Sequence, residues 1–323
     1  MSYARAAVDL SRSSKTVLDP LSEVLAVLNA RATRRARFEA SGDWSLAFPM
    51  LDRLKFVAVS KGTCWIETPS RGCERLSAGD VCLIGRTAYT VASDPDVPAI
   101  NGMSFYDGAG QDSLRLGGDD TVMLGGGITL APENAGFLLD VLPVFALVPR
   151  SSDVAASVAA VLALLDTEMT RTAIGSEAVA ARLAEVLLVE AIRACVGGIA
   201  PAGWLGALAD PRLGRALALV HAEIAEPWTV ARLAAEAGMS RSAFSALFTR
   251  MVGQPPLAYV RSWRLVRARA MLGREMDTVA QVAMSVGYAS QSAFGHAFRR
   301  AFATTPRGAR AYPVGERPID ATK

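Results

Sequence analysis

The last third of this chain repeats itself. Thr229, Val230, Leu233, Ala234, Ala237, Gly238, Ser240, Phe244 and Phe248 are answered by Thr278, Val279, Val282, Ala283, Val286, Gly287, Ser290, Phe294 and Phe298, at an offset of 49 residues that becomes 50 after the glycine. Each copy supplies the parts of two short helices meeting at a steep angle. A Thr caps the first helix, small and branched apolar residues line one face of it, a Gly can take positive φ, and a Ser caps the second. Phenylalanines four apart then form one stripe of that second helix. This is the pattern of a helix-turn-helix, whose second helix projects from the body of its domain.

Burying the phenylalanines determines what is left outside. With Phe244, Leu247, Phe248 and Met251 inward, the first projecting helix presents Arg241, Ser242, Ser245, Ala246 and Arg250. With Phe294, Ala297, Phe298 and Phe302 inward, the second presents Gln291, Ser292, Gly295, His296, Arg299 and Arg300. These are groups for reading double-stranded DNA: Gln meets an adenine edge, His donates to guanine, and Arg meets guanine or phosphate. The first helix, with Arg241 and two serines, is expected to read fewer bases. The competing reading for His296 is partial burial against the neighbouring helix, and for a single copy a helical hairpin inside a core.

Between the copies, Gly253 and Pro255-Pro256 end one helix and start another, which runs to Leu272 before Gly273. Leu257, Leu265, Ala268 and Leu272 fall on one stripe of it. Such a helix is roughly 24 Å long, and with the width of the two units it sets the projecting helices about 34 Å apart, one turn of DNA. One subunit is then expected to occupy two adjacent major grooves. Arg261, Arg264, Arg267 and Arg269 on the linking helix are candidate phosphate contacts, with an internal ion pair the equal alternative for Arg264.

Charge follows the same division. From Arg212 to Arg310 there are fourteen Arg, no Lys and five acids, a net +9 in a chain of formal charge +3, which leaves −6 for the remainder. A basic domain joined to an acidic one points to a polyanionic partner for the first alone. With 323 residues, 51% of them hydrophobic, the chain has room for two cores. Its longest apolar runs, Val154 to Leu165 and Phe137 to Val148, are too short to span a bilayer. The N-terminal residues, with Arg5, Asp9, Arg12 and Lys15, lack the apolar core of a secretion signal. A cytoplasmic protein with no membrane partner is expected.

The front is of a different texture. Residues 1–17 read as a loose arm, and Asp19-Pro20 opens a short helix through Leu21, Val24, Leu25 and Leu28. Over 18–150, short β-rich runs such as Phe56-Val-Ala-Val-Ser60, Cys64-Trp-Ile-Glu67 and Asp80-Val-Cys-Leu-Ile84 are separated by turn residues. A small barrel or sandwich fits them, a barrel being the simpler expectation. Residues 151–203 read as a helical connector, either a self-association face or a cover for the barrel; 204–312 hold the two helix-turn-helix units, and 313–323 a tail. The fold class is therefore α+β multidomain. Cys64, Cys73, Cys82 and Cys195 make no CxxC pair, so reduced thiols are expected.

From Trp204 to Tyr312 the residues resemble the AraC/XylS family of transcription regulators. The resemblance rests on Ala209-Asp-Pro-Arg212, Trp228-Thr-Val230, Gly238-Met-Ser-Arg-Ser242, Trp263-Arg264, Gly287-Tyr288 and Thr305-Pro306. In the front half, Asp19-Pro-Leu-Ser22, Leu54-Lys-Phe56, Gly62-Thr-Cys-Trp65 and Leu76-Ser-Ala-Gly-Asp80 are similar to the cupin-type ligand-binding domain found in one branch of that family. The resemblance implies a regulator of transcription initiation acting near RNA polymerase, dimeric, with a cupin-like β-barrel that answers a small-molecule effector.

One departure bears on chemistry. Where related cupins tend to read Leu-Pro-Arg-Gly followed by His, this chain has Ile84-Gly-Arg-Thr87 and then Tyr89, and both of its histidines, His221 and His296, lie in the rear domain. No metal or other cofactor is expected, which weighs against a metalloenzyme fused to a DNA-binding tail. A redox signal through Cys64, Cys73 and Cys82 is the alternative, with Cys73 the best thiolate candidate because Arg71 and Arg75 flank it. Trp44, Phe56, Trp65, Tyr89, Phe105 and Tyr106 are candidates for lining an effector pocket and equally for ordinary core.

Overall fold

The computed structural model describes residues 19–51, 53–106, 113–198, 202–273 and 277–310; the arm at 1–17 and the tail at 313–323 lie outside them. The front domain runs α1 (Pro20–Val27), β1 (Arg31–Ala40), β2 (Ser45–Phe48), β3 (Leu54–Lys61), β4 (Thr63–Thr68), β5 (Gly72–Ser77), β6 (Val81–Ile84), β7 (Tyr89–Ala92), β8 (Ile100–Asn101), β9 (Ser113–Leu116), β10 (Thr121–Thr129), α2 (Gly136–Leu139) and β11 (Phe145–Val148). Two long helices follow, α3 (Ala155–Thr170) and α4 (Ser176–Gly198). The rear domain is α5 (Gly203–Ala207), α6 (Pro211–Ala222), α7 (Val230–Glu236), α8 (Arg241–Val252), α9 (Pro256–Leu272), α10 (Val279–Ser285), α11 (Gln291–Phe302) and α12 (Pro306–Arg310).

The strands form two sheets, ordered β11-β6-β3-β10-β1-β9 and β5-β4-β7-β2-β8. Closure into a barrel requires the outer strands to pair. Among the described residues the ladders instead end at β11 and β9 and at β5 and β8, so the expected barrel is an open two-sheet sandwich. Period-two alternation gives β3 two cores to serve. Val57 and Val59 face the second sheet together with Phe38, Trp44, Leu46 and Met123. Leu54, Phe56 and Ala58 face the helices, in a core shared with Val158, Leu162 and Leu165 of α3 and Ala184, Leu187 and Leu188 of α4. The connector therefore covers its own sheet, while Leu164, Val179 and Val186 on its outer side stay exposed.

That helical core does not stop at the front domain. It continues through Leu21, Val24 and Leu28 of the α1 region into Trp204, Leu213, Leu217, Phe244, Phe248, Tyr259 and Trp263. Polar contacts fix the joint: Trp204 Nε1 donates to the Phe137 carbonyl at 2.9 Å, and Asn134 Nδ2 donates to the Val266 carbonyl at 3.2 Å. The second helix-turn-helix unit has a separate core of Leu265, Ala268, Leu272, Val282, Ala283, Val286, Phe294 and Phe298. Helix α9 thus carries two buried stripes, one for each unit, where the sequence suggested one. Leu257, assigned to that stripe, is 39% exposed because it lies in the first turn of α9, before the second unit begins to cover the helix.

Candidate nucleic-acid interface

The two units are built alike. In the first, the Thr229 hydroxyl accepts from the Arg232 amide at 3.1 Å to cap α7, Gly238 turns the chain at φ +63°, and the Ser240 hydroxyl accepts from the Ala243 amide at 3.3 Å to cap α8. In the second, Thr278 and Gln281 form a capping box, Gly287 turns at φ +83°, and Ser290 caps α11. Behind each projecting helix stands a pair of phenyl rings with centroids 5.5 Å apart, Phe244 with Phe248 and Phe294 with Phe298. All four rings are at most 2% exposed. Met251, Ala297 and Phe302, expected inward with them, are only partly buried, since each lies at the edge of its helix's packed face.

With the rings inward, Arg241, Ser242, Ala246 and Arg250 of α8 are exposed and Ser245 is half-buried. On α11, Gln291, Ser292, His296, Arg299 and Arg300 are exposed and Gly295 is half-buried. Neither helix contains an acid, so four arginines face outward with no carboxylate on their own helix. Gln291 also lines a shallow groove with Thr278, Val279, Ala280, Arg307 and Arg310. Arg307 is exposed there, a cation the repeat pattern missed because it follows the second copy.

The linker arginines divide. Arg264 donates to the carbonyls of Ile224 at 3.0 Å, Gly287 at 3.1 Å and Glu226 at 2.6 Å. The expected alternative of an ion pair is therefore replaced by a clamp on three carbonyls, two from the segment that leads from α6 into the first unit and one from the turn of the second. A guanidinium suits this because its donors spread in a fixed plane. Arg267 pairs with Glu23 of the front domain, and Arg269 lies over the Phe302 ring at 4.4 Å. Arg261 remains exposed.

In the front domain a cavity of about 100 Å³ lies between the sheets. Tyr89, Tyr106 and Phe56 line it; Trp44, Trp65 and Phe105 do not. Trp44 instead packs edge-on against Phe38 at 4.8 Å within the inter-sheet core, and Trp65 is half-buried on β4. Phe48, Leu46 and Lys55, not singled out in the sequence, complete much of the wall.

The cysteines are poor thiolates. Burial pushes Cys64 up to about 12 and raises Cys82 well above the usual thiol range. Cys73 is exposed, yet its thiol is also raised, by partial desolvation and by the carboxylates of Glu67 and Asp94. The flanking cations do not offset this, for Arg71 is engaged by Glu74 at 3.4 Å. Among the described residues no group of three or more His, Cys, Asp or Glu is placed to hold a metal ion, and no helix is long and apolar enough to cross a membrane.

Comparison with known proteins agrees with this architecture. The family model described as Cupin matches residues 19–197, and that described as Helix-turn-helix domain matches residues 233–312. An AraC-like transcription regulator of Streptomyces lividans is 36% identical over 304 residues, covering 92% of this chain and 99% of its own length. One of Streptomyces antibioticus is also 36% identical over 304 residues, covering 92% of this chain and 100% of its own. The crystal structure of an AraC-type regulator from Chromobacterium violaceum is 34% identical and covers 31% of this chain and 90% of its own, with a TM-score of 0.30. This chain belongs to the AraC family of DNA-binding transcription regulators, with a cupin-type ligand-binding domain in front of its helix-turn-helix domain.

Proposed function

We propose that α8 and α11 of one subunit enter two successive major grooves of a double-stranded promoter site, and that a small-molecule effector in the front domain governs this binding. The observation that carries the reading is the pair of acid-free helices, pinned from behind by equivalent phenyl rings and joined by a 17-residue helix of about 25 Å. In it, Gln291 and His296 read base edges, Arg241 with Ser242 and Ser245 read fewer, and Arg250, Arg299, Arg300 and Arg307 hold phosphates. The domain basis of this reading is a sensor at 18–150, a connector at 151–203 and a DNA-binding domain at 204–312. The outer side of the connector, with Val179 and Val186, suits a homodimer, and RNA polymerase is the natural further partner. The protein acts in the cytoplasm, and its front domain senses rather than catalyses, as both histidines of the chain belong to the rear domain.

Selection of bound sequences from random double-stranded DNA, followed by footprinting, tests the reading. The expected result is two short elements with centres about 10 base pairs apart, the one under α11 more sharply defined. A single element, or no enriched sequence, overturns it.

A further inference from the structure

Two cations are set into the wall of the inter-sheet cavity with no counter-charge among the described residues. Lys55 of β3 is only 8% exposed. Lys55 shares the strand face of Val57 and Val59, and Arg53, just before β3 begins, lines the same cavity. Among the described residues Lys55 Nζ meets ring faces only, Tyr89 at 4.8 Å and Phe48 at 5.7 Å. Nε of Arg53 is buried with no hydrogen-bond partner among the described residues. Among the described residues no Asp or Glu lines the cavity. Other cations in the shielded parts of the molecule are answered: Arg37 by Glu39 and Asp166, Arg35 by Glu177, Arg264 by three carbonyls. A buried charge left unpaired costs free energy that a bound anion would restore.

The backbone leaves room for that anion's body. Gly125 and Gly127 of β10 pair with Val57 and Lys55, so the positions beside Lys55 carry no side chains. A Cβ at Gly125 would meet nothing closer than the Phe56 carbonyl oxygen at 3.8 Å. Around this space stand Phe38, Leu46, Phe48, Val91 and Met123, all apolar.

We propose that this cavity takes an apolar monocarboxylate, its carboxylate seated between Lys55 and Arg53 and its hydrocarbon or aryl body filling the space beside Gly125. The proposal rests on the sensor reading of the front domain and names the class of effector for it. Tyr89 supports it, since burial holds its hydroxyl protonated and able to donate to a carboxylate. Burial and the neighbouring Arg53 lower Lys55 to about 8. A bound carboxylate reverses that, so binding takes up a proton in the mildly alkaline range and weakens as pH rises.

The test is calorimetric titration of the full chain with hexanoate and phenylacetate, and with hexanamide and phenylacetamide as uncharged counterparts. The carboxylates are expected to bind at least about tenfold tighter than the amides, and tighter near pH 7 than near pH 9. Lys55→Met should lose about tenfold or more for the carboxylates while melting no lower than the parent without ligand, because an unpaired buried charge has been removed. Gly125→Val should block both ligand types. Equal binding of amides and carboxylates, unchanged carboxylate binding by Lys55→Met, or no carboxylate binding at all overturns the proposal. Affinity of the same preparations for selected DNA separates the two readings. Intact DNA binding without carboxylate binding sinks the ligand class alone, and carboxylate binding that leaves DNA affinity unchanged sinks the sensor reading alone.

Discussion

Glu23 of α1 places one carboxylate oxygen 3.2 Å from Nδ1 of His221 on α6 and the other against Arg267 of α9. On its other side, Nε2 of His221 lies 2.7 Å from the Tyr259 hydroxyl. The Nδ1 contact is an electrostatic one, neither atom having a hydrogen-bond partner among the described residues, whereas Nε2 and the tyrosine hydroxyl share a hydrogen bond. The first helix of the front domain is thereby tied to two helices of the rear domain through a fully buried imidazole.

That joint makes stability depend on pH. Burial lowers His221 below its usual 6.5, with Arg267 adding to the effect and Glu23 and Asp19 opposing it. Below about pH 6.5 the unfolded chain binds a proton that the folded chain refuses, so stability falls from there toward the folded-state value. Urea midpoints measured from about pH 7.5 down to pH 5.5 should show this decline. His221→Gln should flatten it; an unchanged slope in that variant would assign the decline to other groups.

Arg264 couples the two DNA-binding units. Arg264→Ala removes three bonds to carbonyls and should cost about 2 to 4 kcal/mol in chemical denaturation. Its sharper signature is in DNA binding: affinity for a site with both elements should fall, while affinity for a single element changes little. Equal loss on both would mean that Arg264 only supports the fold.

The two turn glycines should differ in sensitivity. At Gly238, φ +63°, a Cβ meets nothing within 4 Å, so Gly238→Ala should cost about 1 kcal/mol of left-handed strain. At Gly287, φ +83°, it would meet the Ala225 carbonyl oxygen and Arg264 Nη2, both at 2.6 Å. Gly287→Ala should therefore cost about twice as much or more, measurable by comparing denaturation midpoints.

On DNA, Arg299→Ala should weaken binding to every sequence and lower the slope of log affinity against log salt by about 1. Gln291→Ala should instead relax preference at one base position, at about 1 to 3 kcal/mol there. Affinity measurements over a set of single-base variants check both. An unchanged preference after Gln291→Ala would remove that side chain from base reading.

The sequence alone determined the parts that local rules govern. Capping residues, turn glycines and phenylalanines four apart obey short-range geometry, so the helices of both units, their caps and the faces of α8 and α11 are legible in the chain itself. Texture likewise marked a β-rich front half and a helical connector. What tertiary structure decided lies where residues far apart in the chain meet. Whether the sheets close depends on which strand edges reach one another, and Trp44 packs against Phe38 in the inter-sheet core and does not line the cavity. Arg264 and Arg267 look alike on one helix, yet three carbonyls claim the first and Glu23, more than two hundred residues earlier, claims the second. Lys55 reads as an ordinary strand lysine until two glycines on β10 and rings from the second sheet close around it. Charge and hydrogen-bond partners in a shielded interior are chosen by three-dimensional neighbours, and no periodicity along the chain encodes them.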